Sequence, residues 1–330
     1  MDSLAFANAR KEQWERLEKL TRQRQLNGAE SDELYRLYQS AAGDLAYVRT
    51  NIPDPEIVLR LSALLGRTRS RITSNSINAF RAIRDFFVIT LPLSVYRIRW
   101  WVLVVSLACI AIFFGVLFTV MLNPALLEQL GSEEQLDYYA RVAFEAYYSE
   151  YSNSDFAAMV WTNNAWIAVT TIAGGITGVF PLYMLWSNSL AVGQAGAVLE
   201  SRDMLDVFFQ LILPHGQLEL CAVFIAGAAA FKLFWAWVRP RNYPRIEALA
   251  REGKYTVMVT IALVIALFAA GLVEGFVTPS SLDWWVKILI GSFVFLAFWF
   301  WIIYCGRRAL KQAQEISEVN PEIGWTVAYA

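Results

Sequence analysis

Residues 100–122 read WWVLVVSLACIAIFFGVLFTVML and contain no charged side chain. An α-helix rises about 1.5 Å per residue, so this run is long enough to cross about 30 Å of hydrocarbon. Similar runs recur along the chain, and together they are 100–122, 163–187, 217–238, 255–277 and 284–304. The pattern predicts an all-α, polytopic membrane protein that contacts membrane lipids.

The overall composition agrees with this class. Of the 330 residues, 57% are hydrophobic and 17% are charged, whereas soluble domains average about 45–50% and about 25%. Disordered, collagen-like and disulfide-scaffold proteins are excluded. The formal net charge of −1 also argues against a basic nucleic-acid binder, so no nucleic-acid partner is expected.

The charges that flank the runs predict the orientation. Arginines precede the first run, basic residues dominate the loop 239–254, and Arg307, Arg308 and Lys311 follow the last run. The loop 123–162 is strongly acidic. Because basic flanks stay on the cytoplasmic side, we expect both termini to lie in the cytoplasm.

This orientation requires a further crossing within 188–214, where Glu200, Arg202 and Asp203 interrupt two short apolar pieces. Such a broken crossing is tolerated where protein surrounds its backbone or a cavity adjoins it. The sequence therefore favours about six crossings, one of them discontinuous, over five with an external C-terminus. The predicted parts are a cytoplasmic helical domain (1–98), a transmembrane domain (99–305) and a cytoplasmic tail (306–330).

The N-terminal domain is predicted to contain three helices. Trp14, Leu17 and Leu20 form an apolar stripe at helical spacing in 3–26. Asn27-Gly28 is expected to end that helix, and Ser31 to cap the next one. After a break at residues 51–55, a third helix is expected over 55–80. The stripe favours a small bundle core, and a groove for a partner is the alternative.

Several polar residues in or beside the runs are expected at one depth, on the outer side of the membrane. They are Asn163, Asn164, His215, Glu219 and Glu274. Ionisable groups inside a bilayer are costly and are functional candidates by default. The four-residue spacing of His215 and Glu219 places both on one helical face. A structural polar network is favoured, a ligand or ion site is the alternative, and no metal or cofactor is assigned.

Small residues and one lysine complete the candidates. Gly174, Gly175 and Gly178 predict close packing of helices, with a hinge as the alternative. Lys232 is expected to extend its ammonium group to the cytoplasmic interface, with a role in an ion pathway as the alternative. The sequence contains no phosphate-binding loop or nucleophile elbow, so no enzyme is predicted. A transporter or channel, and a metal-dependent hydrolase using His215, Glu219 and Glu274, remain alternatives.

Four segments resemble the stage II sporulation protein M family. They are 34–46 (LYRLYQSAAGDLA), Asn163-Asn164, 214–219 (PHGQLE) and 273–279 (VEGFVTP). Pro-His-Gly-x-x-Glu is the most specific of these signatures. This sequence departs from the Gly-rich pattern of the family at 228–232, where Ala-Ala-Ala-Phe-Lys follows Gly227.

The resemblance implies a multi-pass bacterial inner-membrane protein. In spore formers the family member is a scaffold that gathers peptidoglycan-degrading enzymes during engulfment. Relatives also occur in bacteria that do not sporulate, and some are encoded beside AAA-type ATPases. We therefore expect a scaffold or assembly factor in cell-envelope remodelling. Its expected partners are envelope proteins, peptidoglycan hydrolases or a cytoplasmic AAA-type ATPase, with a homo-oligomer as a further alternative.

Overall fold

A computed structural model describes residues 3–23, 26–51, 54–73, 79–148 and 153–319. Within these ranges all regular secondary structure is helical, as the sequence predicts. The chain divides into two compact units, Met1–Ile83 and Arg84–Ala330. The predicted boundary at 98–99 marks the start of the first apolar run instead, and the segment from Arg84 to residue 98 is part of the second compact unit.

The first unit is a bundle of three helices, α1 (Ser3–Arg22), α2 (Gly28–Asn51) and α3 (Pro55–Thr73). Its core contains Trp14, Leu17 and Leu20, the residues of the predicted stripe, because apolar side chains at helical spacing share one face. Trp14 also donates from Nε1 to the buried Asp44 carboxylate over 2.9 Å.

The start of α2 differs from the prediction. Asn27, rather than Ser31, caps the helix: its Oδ1 accepts from the Glu30 backbone N–H at 2.8 Å, and Glu30 Oε2 accepts from the Asn27 N–H at 2.9 Å. This reciprocal pair is a capping box, which satisfies two backbone donors at once. Ser31 lies within the first turn and donates from Oγ to the Asn27 carbonyl.

The second unit contains the membrane helices and shorter connecting helices. In chain order they are α4 (Ala79–Asp85), α5 (Leu91–Arg97), α6 (Arg99–Met121), α7 (Pro124–Leu130), α8 (Glu133–Tyr138), α9 (Phe144–Ala146), α10 (Asn153–Ala173), α11 (Val179–Glu200), α12 (Leu205–Val238), α13 (Arg245–Leu272) and α14 (Trp284–Val319). Of the predicted tail 306–330, residues up to Val319 continue α14, and 320–330 lie outside the described residues.

Among the described residues, four helices are long and apolar enough to cross a membrane. They are Arg99–Met121, Leu205–Val238, Arg245–Val277 and Trp284–Glu315. In the second and third of these helices, 50% of the apolar 18-residue stretch is buried. In the first and last helices the buried share is 22% and 17%. The bundle therefore has α12 and α13 at its centre, while α6 and α14 present apolar side chains outward.

Helices α10 and α11 run beside these four, and close contacts fix their direction. Gly193 of α11 packs on Phe113 of α6, and Gly196 packs on Leu117, so the two helices are parallel. In α10, Ala157 adjoins Gly271 and Gly275 at the C-terminal end of α13 and its π-helical extension. The six long helices of the described chain thus run back and forth between two ends of the bundle.

The break in the helices lies at residues other than those expected. The predicted run 163–187 is divided by a 3₁₀ turn at Gly174–Thr177, followed by Gly178 with φ +68°, a conformation that favours glycine. The predicted irregular crossing 188–214 is instead the regular helix α11, a turn at 201–204 and the start of α12.

The charged residues of that turn explain the difference. Arg202 pairs with Glu133 at 3.0 Å and with Asp137 at 3.5 Å, both on the connecting segment between α6 and α10. These charges therefore lie at one end of the bundle and not within a crossing. Pro214, expected in the first turn of a helix, lies inside α12 instead.

Candidate functional site

The candidate site lies at the end of the bundle where α12 and α13 approach the connecting segment before α10. A cavity of about 440 Å³ opens there. The polar residues that line it include Tyr148, Asn163, Asn164, His215, Glu219 and Glu274. The structure thus brings all five members of the predicted cluster to one cavity, although the sequence predicted only their common depth.

Helix α12 supplies the first two groups. His215 and Glu219 are four residues apart, so a regular helix presents both on one face. The His215 side chain is buried, and Glu219 is half-buried. Pro214 precedes the histidine, and its carbonyl adjoins Gly291 of α14 so closely that no Cβ fits between them. This contact fixes the position of α12 beside α14 at the level of the cavity.

A wide helical turn supplies the third group. Residues Val273–Val277 form a π-helical turn at the end of α13, and the Thr278 N–H donates to the Val273 carbonyl at 3.0 Å. Such turns occur frequently at functional sites because they displace one side chain from the regular helical path. Here Glu274 is 3% exposed, and its Oε1 lies 3.8 Å from His215 Nε2.

Helix α10 approaches this turn through two glycines. A Cβ at Gly275 would lie 2.6 Å from Ala157 Cβ, and one at Gly271 would lie 3.1 Å from the Ala157 carbonyl oxygen. Small residues spaced by four allow such close helix contact. The approach brings Asn164 to Glu219, where its Nδ2 donates to Oε1 over 3.0 Å.

The two asparagines differ in position. Both lie in the middle of α10, which begins at Asn153, and not at the start of a helix as expected. Asn164 is half-buried and bonded to Glu219, whereas Asn163 is exposed at the edge of the cavity. Only Asn164 therefore contacts the acidic pair.

A second set of groups holds the histidine. His215 Nδ1 lies 3.3 Å from Thr278 Oγ1, and Lys287 donates from Nζ to the Thr278 carbonyl at 2.7 Å. The buried Thr278 hydroxyl also donates to the Val273 carbonyl at 3.4 Å. With its proton so directed, the hydroxyl can accept from Nδ1–H of His215, and in that tautomer the lone pair lies on Nε2, 3.8 Å from Glu274 Oε1.

Tyr148 lines the cavity beside His215. Its ring centre lies 5.8 Å from that of His215. Burial raises the pKa of the Tyr148 phenol, and the nearby Glu274 carboxylate raises it further. The hydroxyl therefore stays protonated at physiological pH. No spacing signal in the sequence indicated this tyrosine, because it reaches the cavity from the connecting segment.

The three predicted packing glycines lie at the opposite end of α10. A Cβ at Gly175 would lie 2.9 Å from Ala230 Cα, one at Gly174 would meet the Phe180 ring, and one at Gly178 the Phe234 ring. These glycines let the turn between α10 and α11 lie against α12. They do not contribute to the polar cavity.

The architecture defines the class of protein, and a comparison with known proteins gives the family. Apolar helices of membrane-spanning length around a buried polar cluster define a polytopic integral-membrane protein. A family model described as Stage II sporulation protein M matches residues 103–279, more than half of the chain. The chain belongs to this family, as three of the four sequence segments predict, whereas the segment 34–46 lies outside the matched range. All five cluster residues lie within the matched range.

Two further comparisons concern other parts of the chain or single relatives. Residues 4–74 match a domain of unknown function, DUF8413. An uncharacterised protein of Methanocaldococcus jannaschii is 28% identical over 123 residues, which cover 36% of this chain and 69% of the relative. No solved structure matches the chain.

Proposed function

We propose that the protein is a multi-pass scaffold or assembly factor of the inner membrane that acts in remodelling of the cell envelope. The observation that supports this role is the division of the chain into a compact three-helix unit and a separate membrane bundle. The first unit offers a surface outside the membrane, and the second anchors it. The proposal assigns no catalytic step to the protein.

The distribution of charge supports an orientation with both termini in the cytoplasm. Arg97 pairs with Glu252 near the start of α13 at 3.5 Å, and Gly306 of α14 packs on Tyr96. The basic segments before α6, before α13 and at the end of α14 are thereby gathered at one end of the bundle. By the positive-inside tendency this end faces the cytoplasm, and α10 and α11 then complete six crossings.

The surface of the first unit supports a role in contacting partners. Leu59 is 74% exposed and Tyr35 is 52% exposed, and exposed aromatic and apolar side chains are frequent anchors of protein interfaces. The partner classes that fit the family are peptidoglycan-degrading enzymes and AAA-type ATPases. A cytoplasmic ATPase would bind the first unit directly, and a second copy of the chain is a further candidate partner.

Affinity capture from native membranes tests the role. We expect the full-length protein to recover one of these partner classes, and the double variant Tyr35→Ala/Leu59→Ala to recover a cytoplasmic partner at least fivefold less. Lys11→Ala, another exposed change in the first unit, is the control and should leave recovery unchanged. A C-terminal reporter fusion tests the orientation, and its appearance outside the cell would contradict six crossings.

Two outcomes would replace the scaffold role. Flux of a solute through vesicles that contain the purified protein, without partners, would make it a transporter or channel. Hydrolysis of a substrate that is lost in His215→Gln would make it a hydrolase.

A further inference from the structure

We propose that His215, Glu219 and Glu274 bind one divalent transition-metal cation, of the zinc or manganese class, at the end of the membrane bundle. The proposal is independent of the scaffold role, because a bound cation can serve a structural or a chemical purpose. It concerns only the three side chains and the groups that surround them.

The distances between the three side chains fit a shared cation. One nitrogen of His215 and one carboxylate oxygen from each glutamate lie within 4.8 Å of one another. Ligands at about 2.0–2.2 Å from a metal are separated from each other by roughly 3–4 Å. Small rotations of the side chains would therefore close the set around one ion.

An unpartnered oxygen points to a missing ligand. Glu274 Oε2 is fully buried, and no described group forms a hydrogen bond with it. A buried carboxylate oxygen without a partner loses the hydration it would have in water and gains nothing in return. A cation in the cavity would satisfy this oxygen and neutralise the charge of the neighbouring carboxylate.

Basic side chains do not fill this role in the described part of the chain. The ion-pair partner of Glu274 there is His215, at 3.8 Å, which is too long for a hydrogen bond. Lys287 lies close, but its ammonium group donates to the Thr278 carbonyl. A buried carboxylate beside a half-buried one favours either a shared proton or a cation.

The hydrogen bonds of the histidine favour the cation. A metal-binding histidine generally donates its other ring N–H to an acceptor, which fixes the tautomer and directs the free nitrogen at the metal. Thr278 Oγ1 lies 3.3 Å from Nδ1 of His215, which suits this arrangement, and Nε2 lies 3.8 Å from the Glu274 carboxylate. A mixed set of imidazole and carboxylate ligands suits zinc, manganese or iron better than magnesium or calcium.

The surroundings leave room for a fourth ligand. The cavity of about 440 Å³ adjoins the three side chains, and Asn164 holds Glu219 at its edge. A water molecule or the end of a substrate would occupy the remaining coordination position. In this arrangement Asn164 positions a ligand and need not touch the metal.

Metal content of the purified full-length protein tests the proposal. The protein is stripped with a chelator and dialysed against ZnCl₂ or MnCl₂. Elemental analysis should then find about one equivalent of one of these metals. We expect His215→Gln, Glu219→Gln and Glu274→Gln each to weaken binding at least tenfold, and the exposed control Glu145→Gln to retain the wild-type affinity. Equal metal in all variants, or none in the wild type, would overturn the proposal in favour of a shared proton.

A spectroscopic readout keeps the test decisive if a site variant does not fold. The extended X-ray absorption fine structure of zinc or manganese bound to the wild type should show nitrogen and oxygen ligands. It should also contain the scattering pattern of one imidazole ring. The same metal should raise the melting temperature of the wild type, and equimolar calcium should not. Spectra without imidazole, or with sulfur ligands, would contradict this ligand set.

Discussion

Asn164 Nδ2 and Glu219 Oε1 lie 3.0 Å apart and form a hydrogen bond between α10 and α12. Among the described residues, Asn164 is the amide side chain that bonds to the acidic pair Glu219 and Glu274. The bond depends on the close contact of α10 with Gly271 and Gly275. The polar cavity is thus built by packing between helices that are distant in sequence. Its parts are sensitive to changes that leave the charged residues themselves intact.

The first prediction concerns this bond. Asn164→Leu removes the donor and leaves a half-buried carboxylate oxygen unsatisfied, which costs about 1–3 kcal/mol. The melting temperature of the detergent-solubilised protein should fall. Asn163→Leu, at the exposed neighbouring position, is the matched control and should change it much less. Equal losses in the two variants would mean that the bond contributes nothing specific.

The second prediction concerns the contact between α12 and α14. A Cβ at Gly291 would overlap the Pro214 carbonyl group, so Gly291→Ala forces the helices apart. Overpacking of this kind typically costs about 1–3 kcal/mol. Thermal unfolding measures the loss. Gly115→Ala in α6, where no atom of another helix lies within 4 Å of the new Cβ, should be neutral or stabilising.

The third prediction concerns a buried charge at the other end of the bundle. The Arg97 side chain is 4% exposed, its Nη2 lies 3.5 Å from Glu252 Oε2, and its guanidinium stacks on the Tyr255 ring. Glu252→Gln removes the partner of a buried cation and should cost about 3–5 kcal/mol. Glu247→Gln, in the exposed pair with Arg251, should cost about 1 kcal/mol or less. Unfolding in denaturant compares the two variants.

The fourth prediction concerns pH dependence in the first unit. The bond from the Asn27 N–H lowers the pKa of Glu30, and the Arg16 guanidinium lowers the pKa of Glu33. A lowered folded pKa means that each carboxylate stabilises the fold above its ordinary pKa, near 4.5. This stabilisation is lost as pH falls through the folded value.

Hydrogen exchange read by mass spectrometry checks this prediction. At pH 7, Glu30→Gln and Glu33→Gln should each reduce protection of α1 and α2 relative to the wild type. The difference should shrink as the pH falls below 4.5, because the wild-type carboxyls lose their charge as the pH passes through their lowered pKa. The variants are compared at equal pH, so the intrinsic exchange rate does not enter. A difference that persists in acid would show that charge is not the cause.

The sequence predicted the class of fold because long apolar runs have few alternatives to membrane helices. It also predicted the core of the first unit, since Trp14, Leu17 and Leu20 share one helical face. It misplaced the break in the membrane helices, because packing was favoured over a hinge for Gly174, Gly175 and Gly178. The charged turn around Arg202 was placed inside a crossing, since its partners Glu133 and Asp137 are distant in sequence.

The candidate site was predicted in composition but not in geometry. The spacing of His215 and Glu219 predicted that they share one helical face. The position of Glu274 depends on a wide turn, which no pattern in the sequence indicated. Tyr148 enters the cavity from an irregular segment, where helical periodicity gives no information. Distances between separate helices follow from packing at single glycines, and these are invisible in the order of residues alone.

The number of residues in the wide turn at Val273–Val277 determines the geometry of the cavity. Glu274 sits inside the turn and Thr278 directly after it, so one surplus residue sets both the carboxylate and the hydroxyl that holds the imidazole. Removing a residue between them would tighten the turn to ordinary pitch and rotate everything beyond it by roughly 100°. Insertions and deletions here would therefore move the Thr278 hydroxyl away from the histidine even when every polar side chain is retained.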